Sequence, residues 1–169
     1  MNYLGLERNE VAKTVDLLNN LLSNYHIYYQ NLRNFHWNVD GDNFFELHEQ
    51  FEALYDDARL KIDEIAERVL TLRMRPVSKM SDYLERARVK ESEILNDEYK
   101  MVNAILDNHR LLIENMRQVI RSASEIEDEG TIDMIGGFLA EIEKSSWMLD
   151  AWRAKKGQAA QAATVGSLS

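Results

Sequence analysis

A single proline, Pro76, interrupts a chain of 169 residues whose apolar side chains recur at steps of three and four. That spacing stacks side chains on one helix face and clashes with the period of two that a strand requires. Residues 8–35 carry Val11, Val15, Leu18, Leu22, Tyr25, Tyr29 and Leu32 as one stripe. The run Asn38-Val39-Asp40-Gly41-Asp42-Asn43 is rich in residues that tolerate turn conformations. A second helix is expected over residues 44–72. The pattern then breaks around Pro76, and residues 81–87 suit a short helix inside a longer connection. A third long helix, residues 93–122, turns Ile94, Val102, Ile105, Leu106, Leu112, Ile113, Met116 and Ile120 inward. Residues 125–130 form an acidic link. Thr131 is expected to cap the fourth helix, with Asp133 in its first turn. That helix extends to about residue 154, with Met134, Phe138, Ile142, Met148, Leu149 and Trp152 on one side. Residues 1–7 read as a short leading segment and the small, polar residues 158–169 as a flexible tail. The expectation is an all-α fold: one domain over residues 1–169, a four-helix bundle with a short helix in the connection between helices two and three. That connection is long enough for a crossover rather than a hairpin.

There is no cysteine, so disulfides, thiolate metal sites and thiol nucleophiles are excluded. Any metal chemistry falls to His, Asp and Glu, a nitrogen and oxygen donor set that suits iron, manganese or zinc. The first residues show neither the basic nor the apolar region of a signal peptide, and no stretch approaches the ~20 apolar residues of a membrane span. A cytoplasmic protein with no membrane partner is expected. The net charge of −9 argues against strong nucleic-acid binding.

Two pairs of metal-type ligands stand on the second helix, His48 with Glu52 and Asp63 with Glu67. Each pair has i, i+4 spacing, and all four residues fall within roughly 100° of helix arc. Glu52 and Asp63 are nevertheless eleven residues apart, about 16 Å along the axis, too far for one metal centre. Both outer and inner residues are centred on the same point, between Asp57 and Ala58. A second, antiparallel copy of this helix related by a two-fold axis would therefore bring His48 and Glu52 opposite Asp63 and Glu67, twice over. His36, at the end of helix one, can reach His48 across the turn. The same carboxylates also suit a solvated face, with Arg59 and Arg68 as neighbours. An intrachain di-iron site built on Glu-x-x-His is not expected: Ser23, Arg33, Phe45 and Leu106 occupy the positions three before the four histidines.

The run Asn34-Phe35-His36-Trp37-Asn38-Val39-x-Gly41-x-Asn43-Phe44-Phe45-x-Leu47-His48-Glu49-x-Phe51-Glu52, followed by Asp63-x-Ile65-Ala66-Glu67-Arg68, resembles the Dps family, the miniferritins or DNA-binding proteins from starved cells. A sparser likeness continues in Asp128-Glu129-Gly130-x-x-Asp133-Met134 and Glu143-Lys144-x-x-Trp147-Met148-Leu149. The resemblance implies a homo-oligomer, a hollow dodecamer, that oxidises iron(II) at ferroxidase centres across two-fold interfaces and stores iron(III) inside. The resemblance implies hydrogen peroxide as the usual oxidant of the family, ahead of oxygen. His36 and His48 match the family's histidines, and Asp63 and Glu67 its carboxylates from the partner chain. Glu52 stands where many members have Asp; the extra methylene keeps an oxygen ligand and bears on occupancy of the second metal.

Further residues follow from the resemblance. Glu127 and Asp133 match the region lining acidic three-fold pores, Glu49 is a candidate for iron nucleation, and Trp37 a candidate redox neighbour of the centre. Each equally suits a solvated face or interface packing, and Tyr25, Tyr28 and Tyr29 read as bundle packing. Family members that bind DNA often use Lys-rich terminal tails. Here residues 1–10 offer only Arg8 against Glu7 and Glu10, and twelve chains at −9 each total −108. DNA binding is expected to be weak or absent. The alternative is a DNA-compacting architectural protein whose metal site is minor or structural.

Overall fold

The computed structural model describes the backbone from Leu4 to Gly166 and side chains as far as Ala154. The described residues form five helices and no strand: α1 (Arg8–Asn38), α2 (Phe44–Thr71), α3 (Met80–Arg86), α4 (Glu98–Ser124) and α5 (Glu129–Gly166). The four long helices are a bundle around one core that includes Leu18, Leu22, Phe35, Phe51, Ile65, Ile105 and Met116. No described helix is long and apolar enough to cross a membrane.

Cross-helix pairs fix the helix directions. Thr14 meets Ser122 and Asn24 meets Asn115, so α1 and α4 are antiparallel. Tyr29 meets Tyr55 across α1 and α2, and Arg117 meets Glu143 across α4 and α5, so those pairs are antiparallel as well. It follows that α2 and α4 are parallel, and the chain between them must travel the length of the bundle. A ladder of asparagines on α1 receives it. Asn19 Oδ1 accepts from the Val77 amide, Asn24 Oδ1 from the Arg88 and Val89 amides, and Asn31 Oδ1 from the Ser92 amide, at 2.8–3.1 Å. Asn31 and Asn34 donate in return to the carbonyls of Lys90 and Ser92, both at 2.9 Å. These side chains satisfy backbone groups that have no ladder of their own. Helix α3 docks on α1 through Tyr83, whose ring stacks on His26 with centroids 3.9 Å apart.

Several boundaries differ from the sequence expectation, each for a local reason. Helix α4 starts at Glu98, not residue 93, because Asp97 caps it by accepting from the Lys100 amide at 2.8 Å. Ile94, expected inward, is therefore outside the helix and 66% exposed. Thr131 does not cap α5. Asp128 does, accepting from the Thr131 amide at 3.2 Å and the Thr131 hydroxyl at 2.6 Å while it also pairs with Arg68 of α2. Gly130 is required beside this pair, since a Cβ there would lie 2.9 Å from the Arg68 guanidinium. Met148, expected inward, is 50% exposed. Of the residues expected as a flexible tail, 158–166 continue the α5 backbone and 167–169 lie outside the described residues.

The core is not wholly apolar. The Tyr28 hydroxyl and His109 Nε2 lie 2.7 Å apart, and His109 Nδ1 is 2.8 Å from Ser146 Oγ. Ser146 gives its own proton to the Ile142 carbonyl at 2.6 Å. The chain therefore has one direction: Tyr28 donates to Nε2, and Nδ1–H donates to Ser146. Burial first, then the charge of Lys61, lowers the His109 pKa from 6.5 to about 3. Between those values the unfolded chain takes up a proton that the folded chain refuses. Stability is thus fully present above pH 6.5 and falls as the pH drops toward 3. Thermal unfolding from pH 7 to pH 4 should show this loss. His109→Gln should flatten the acid limb by at least about 1.4 kcal/mol, the equivalent of one pH unit of the depression.

Candidate metal centre

The turn between α1 and α2 decides what His36 and His48 can do together. Gly41 takes φ +112°, a conformation that a Cβ would strain, and a Cβ there would also lie 2.9 Å from Glu98 Oε1. Glu98, the first residue of α4, accepts from the Asn43 amide at 2.9 Å and the Asn43 side chain at 2.6 Å. The turn is clasped to the bundle, and the end of α1 is held beside the start of α2.

In that position the two histidines hold each other. His36 Nδ1 donates to the His48 carbonyl at 2.9 Å, and His48 Nδ1 donates to the His36 carbonyl at 3.0 Å. Their rings stack with centroids 3.8 Å apart. A carbonyl only accepts, so each Nδ1 must carry a proton. In the neutral ring the lone pair is then on Nε2. A metal-binding histidine is normally fixed by a hydrogen bond from its second nitrogen to such a partner, and here the two ligands supply it reciprocally. Glu52, one turn after His48, completes the group: His36, His48 and Glu52 each offer a ligand atom, all within 4.8 Å of one another. Among the described residues this is the one place where three metal-type side chains converge.

Two further residues shape the centre. The Tyr55 hydroxyl donates to Glu52 Oε1 at 3.3 Å, and its ring meets His36 edge-on at 5.3 Å. Desolvation first, then the charges of Glu52 and Asp56, raise its pKa, which keeps the phenol a donor. Phe44 stacks on the His48 ring at 5.0 Å. The sequence carried a signal for Tyr55 that went unused: it lies three residues after Glu52 and seven after His48, on the same helix face.

Asp63 and Glu67 are exposed on α2, about three and four turns beyond Glu52, and do not reach the centre within one chain. Exposed Phe45, Leu60 and Leu70 stand on or beside that face. Glu49 is exposed one residue after His48. Glu127 is exposed with φ +56° in the turn before α5, and Asp133 is exposed in its second turn. Among the described residues no hydrogen bond or ion pair joins these three. Trp37 is exposed, with the Arg33 guanidinium 4.6 Å above its ring.

Four-helix bundles with this crossover and a histidine–carboxylate centre are the ferritin-like class, and residues 15–156 match the ferritin-like domain family. The chain is 42% identical over 151 residues to the "DNA protection during starvation protein" of Porphyromonas gingivalis, covering 89% of this chain and 95% of that one. It shares 42% identity and a TM-score of 0.87 with the crystal structure of the Dps protein from Vibrio cholerae O1, covering 90% and 96% of the two chains. That protein is described as a member of a broad superfamily of ferritin-like diiron-carboxylate proteins. The Dps protein from Bacillus brevis is similar too, with 37% identity, a TM-score of 0.83 and coverage of 87% and 99%. The chain belongs to the Dps family.

The reciprocal hydrogen bonds make a specific prediction. Zinc bound at this centre should coordinate both imidazoles through Nε2, with Nδ1 still protonated. Nitrogen-15 correlation spectra of the two side chains in the zinc-loaded protein check this, and coordination through either Nδ1 would contradict the geometry.

Proposed function

We propose that the protein is a ferroxidase that detoxifies and stores iron in the cytoplasm, with each centre shared between two chains. His36, His48 and Glu52 come from one chain and Asp63 and Glu67 from its mate. The observation that carries this reading is the pair of imidazoles with both Nε2 lone pairs free beside Glu52, on a helix whose outward face also bears the exposed Asp63 and Glu67. Exposed Phe45, Leu60 and Leu70 on or beside this face support an isologous interface there.

Iron(II) is the substrate. Imidazole nitrogen holds it without adding charge, and the carboxylates favour the more highly charged iron(III) product. Hydrogen peroxide is the proposed oxidant. Two iron(II) ions give up one electron each to one peroxide, whose O–O bond breaks to yield two hydroxide ions. Consumed in such pairs, peroxide releases no hydroxyl radical. The oxidised iron is stored in the cavity of a dodecamer, with Glu127 and Asp133 at its pores and Glu49 as a nucleation ligand. Trp37 is proposed as a neighbour able to take up a stray oxidising equivalent.

Subunit mixing tests the shared centre. His48→Ala and Asp63→Ala chains should each oxidise iron at background rate alone. Dissociated and randomly reassembled together, half of their pairings are mixed, and each mixed pair holds one complete centre out of two. About a quarter of the wild-type rate should return, read at the ferric absorbance with peroxide as oxidant. Background rate in the mixture would refute a centre divided in this way.

DNA protection by this chain is proposed to be chemical, through iron and peroxide, rather than by coating the duplex. Residues 1–10 carry one basic residue, and each chain carries −9. Plasmid DNA should therefore migrate unretarded with the protein at ~150 mM salt without divalent ions.

A further inference from the structure

On the opposite face of α2 from the histidine centre, a second group of metal-type donors is already occupied by a cation of the chain's own. Lys61 is only 3% exposed. Its ammonium lies 2.5 and 2.7 Å from the two carboxylate oxygens of Asp57 and 2.8 Å from Glu141 of α5. It also stands 5.3 Å from the centre of the Phe138 ring. An ammonium buried without partners is costly, but the carboxylates are under no such pressure. Asp57 and Glu141 are 47% and 66% exposed and would be solvated without Lys61. They converge on a single positive charge.

The surroundings also suit a cation. Asp57 and Glu141 line a cavity of about 240 Å³ among α1, α2, α4 and α5, together with Tyr25, Tyr28, His109 and Ser145. Tyr25 is 1% exposed. Ser145 Oγ is buried and unpartnered. Two carboxylates and the Ser145 hydroxyl thus border one space between the helices, with Lys144 also in its lining, while both His109 nitrogens are engaged by Tyr28 and Ser146. A divalent ion bound by Asp57 and Glu141 would lie against a fixed like charge.

We propose that Lys61 is the resident cation of the bundle. It fills a two-carboxylate cation site that a divalent metal would otherwise take, and so confines metal to the α1–α2 centre. Lys61 is a specificity determinant for where the subunit loads metal. This role needs no iron oxidation at His36 and His48, so the two readings stand or fall separately.

Cobalt(II) binding tests it in the full chain carrying His48→Ala and Asp63→Ala, which silences the other centre. Equilibrium dialysis and the cobalt absorption bands give stoichiometry and affinity. Adding Lys61→Gln should create one cobalt site per subunit, at least about tenfold tighter than any binding by the parent. Lys61→Arg, which keeps a cation, should gain nothing. Adding Asp57→Asn and Glu141→Gln to Lys61→Gln should abolish the gain. Should Lys61→Gln fail to fold alone, cobalt during refolding should restore its helical circular dichroism, and should not do so once the two carboxylates are removed. The absence of both cobalt uptake and rescue in Lys61→Gln would overturn the proposal, as would uptake that survives loss of both carboxylates.

Discussion

Each imidazole at the α1–α2 turn gives its Nδ1 proton to the other residue's carbonyl oxygen. This exchange does three jobs with two hydrogen bonds. It satisfies the His36 carbonyl at the end of α1 and adds a second donor to the His48 carbonyl of α2, it locks the angle at which the two helices leave the turn, and it fixes the neutral tautomer of both rings with Nε2 as the free nitrogen. A histidine left to itself loses side-chain entropy when a metal immobilises it. Here that freedom is already lost in the folded subunit, so the ligands are preorganised. The clasp of Asn43 by Glu98 extends the same rigidity to α4. Geometry at the centre is therefore a property of the whole bundle rather than of the turn alone.

The bundle spends much of its interior on polar groups, and several of them have a structural task. The asparagines of α1 hold the crossover, which lets α2 and α4 run parallel and leaves the α1–α2 turn unobstructed. Arg68 and Asp128 tie the end of α2 to the start of α5. Lys61 ties the middle of α2 to α5. The inner face of α2 is thus bound by charge to α5 while its outer face carries the histidine centre. Truncating one partner of such a buried pair strands the other, which makes these links more consequential than surface pairs of the same length.

Much of this was legible in the sequence. Steps of three and four gave the four long helices, and the break at Pro76 gave the connection with its short helix. The convergence of His36, His48 and Glu52 followed from i, i+4 spacing and a short turn. What periodicity could not reveal were interactions distant in sequence. The asparagine ladder pairs residues 58–65 positions apart, and no local rule marks Asn31 as anything but a polar residue on a helix. Asp128 displaced Thr131 as the cap because Arg68 holds its carboxylate over the first turn of α5, a constraint from another helix. Ile94 was placed inward because an apolar residue near a helical run extends the pattern, whereas Asp97 starts the helix later. Lys61 was invisible for the same reason: its partners lie one turn away and 80 residues away.

A centre divided between two chains links assembly to chemistry. In the proposed shared centre, Asp63 and Glu67 of one chain would complete a ligand set that His36, His48 and Glu52 of the other begin. Under the shared-centre reading, a metal ion binds the paired state far better than the separated one. By mass action it must then stabilise the pair by the same differential free energy. The substrate is in this way a cohesive element of the interface. The cost of gathering six carboxylates at one such interface would otherwise be repulsion between chains that each carry −9. On that reading metal would turn the repulsion into attraction at two points per dimer, and the exposed apolar residues beside the site would hold the pair together when no metal is bound.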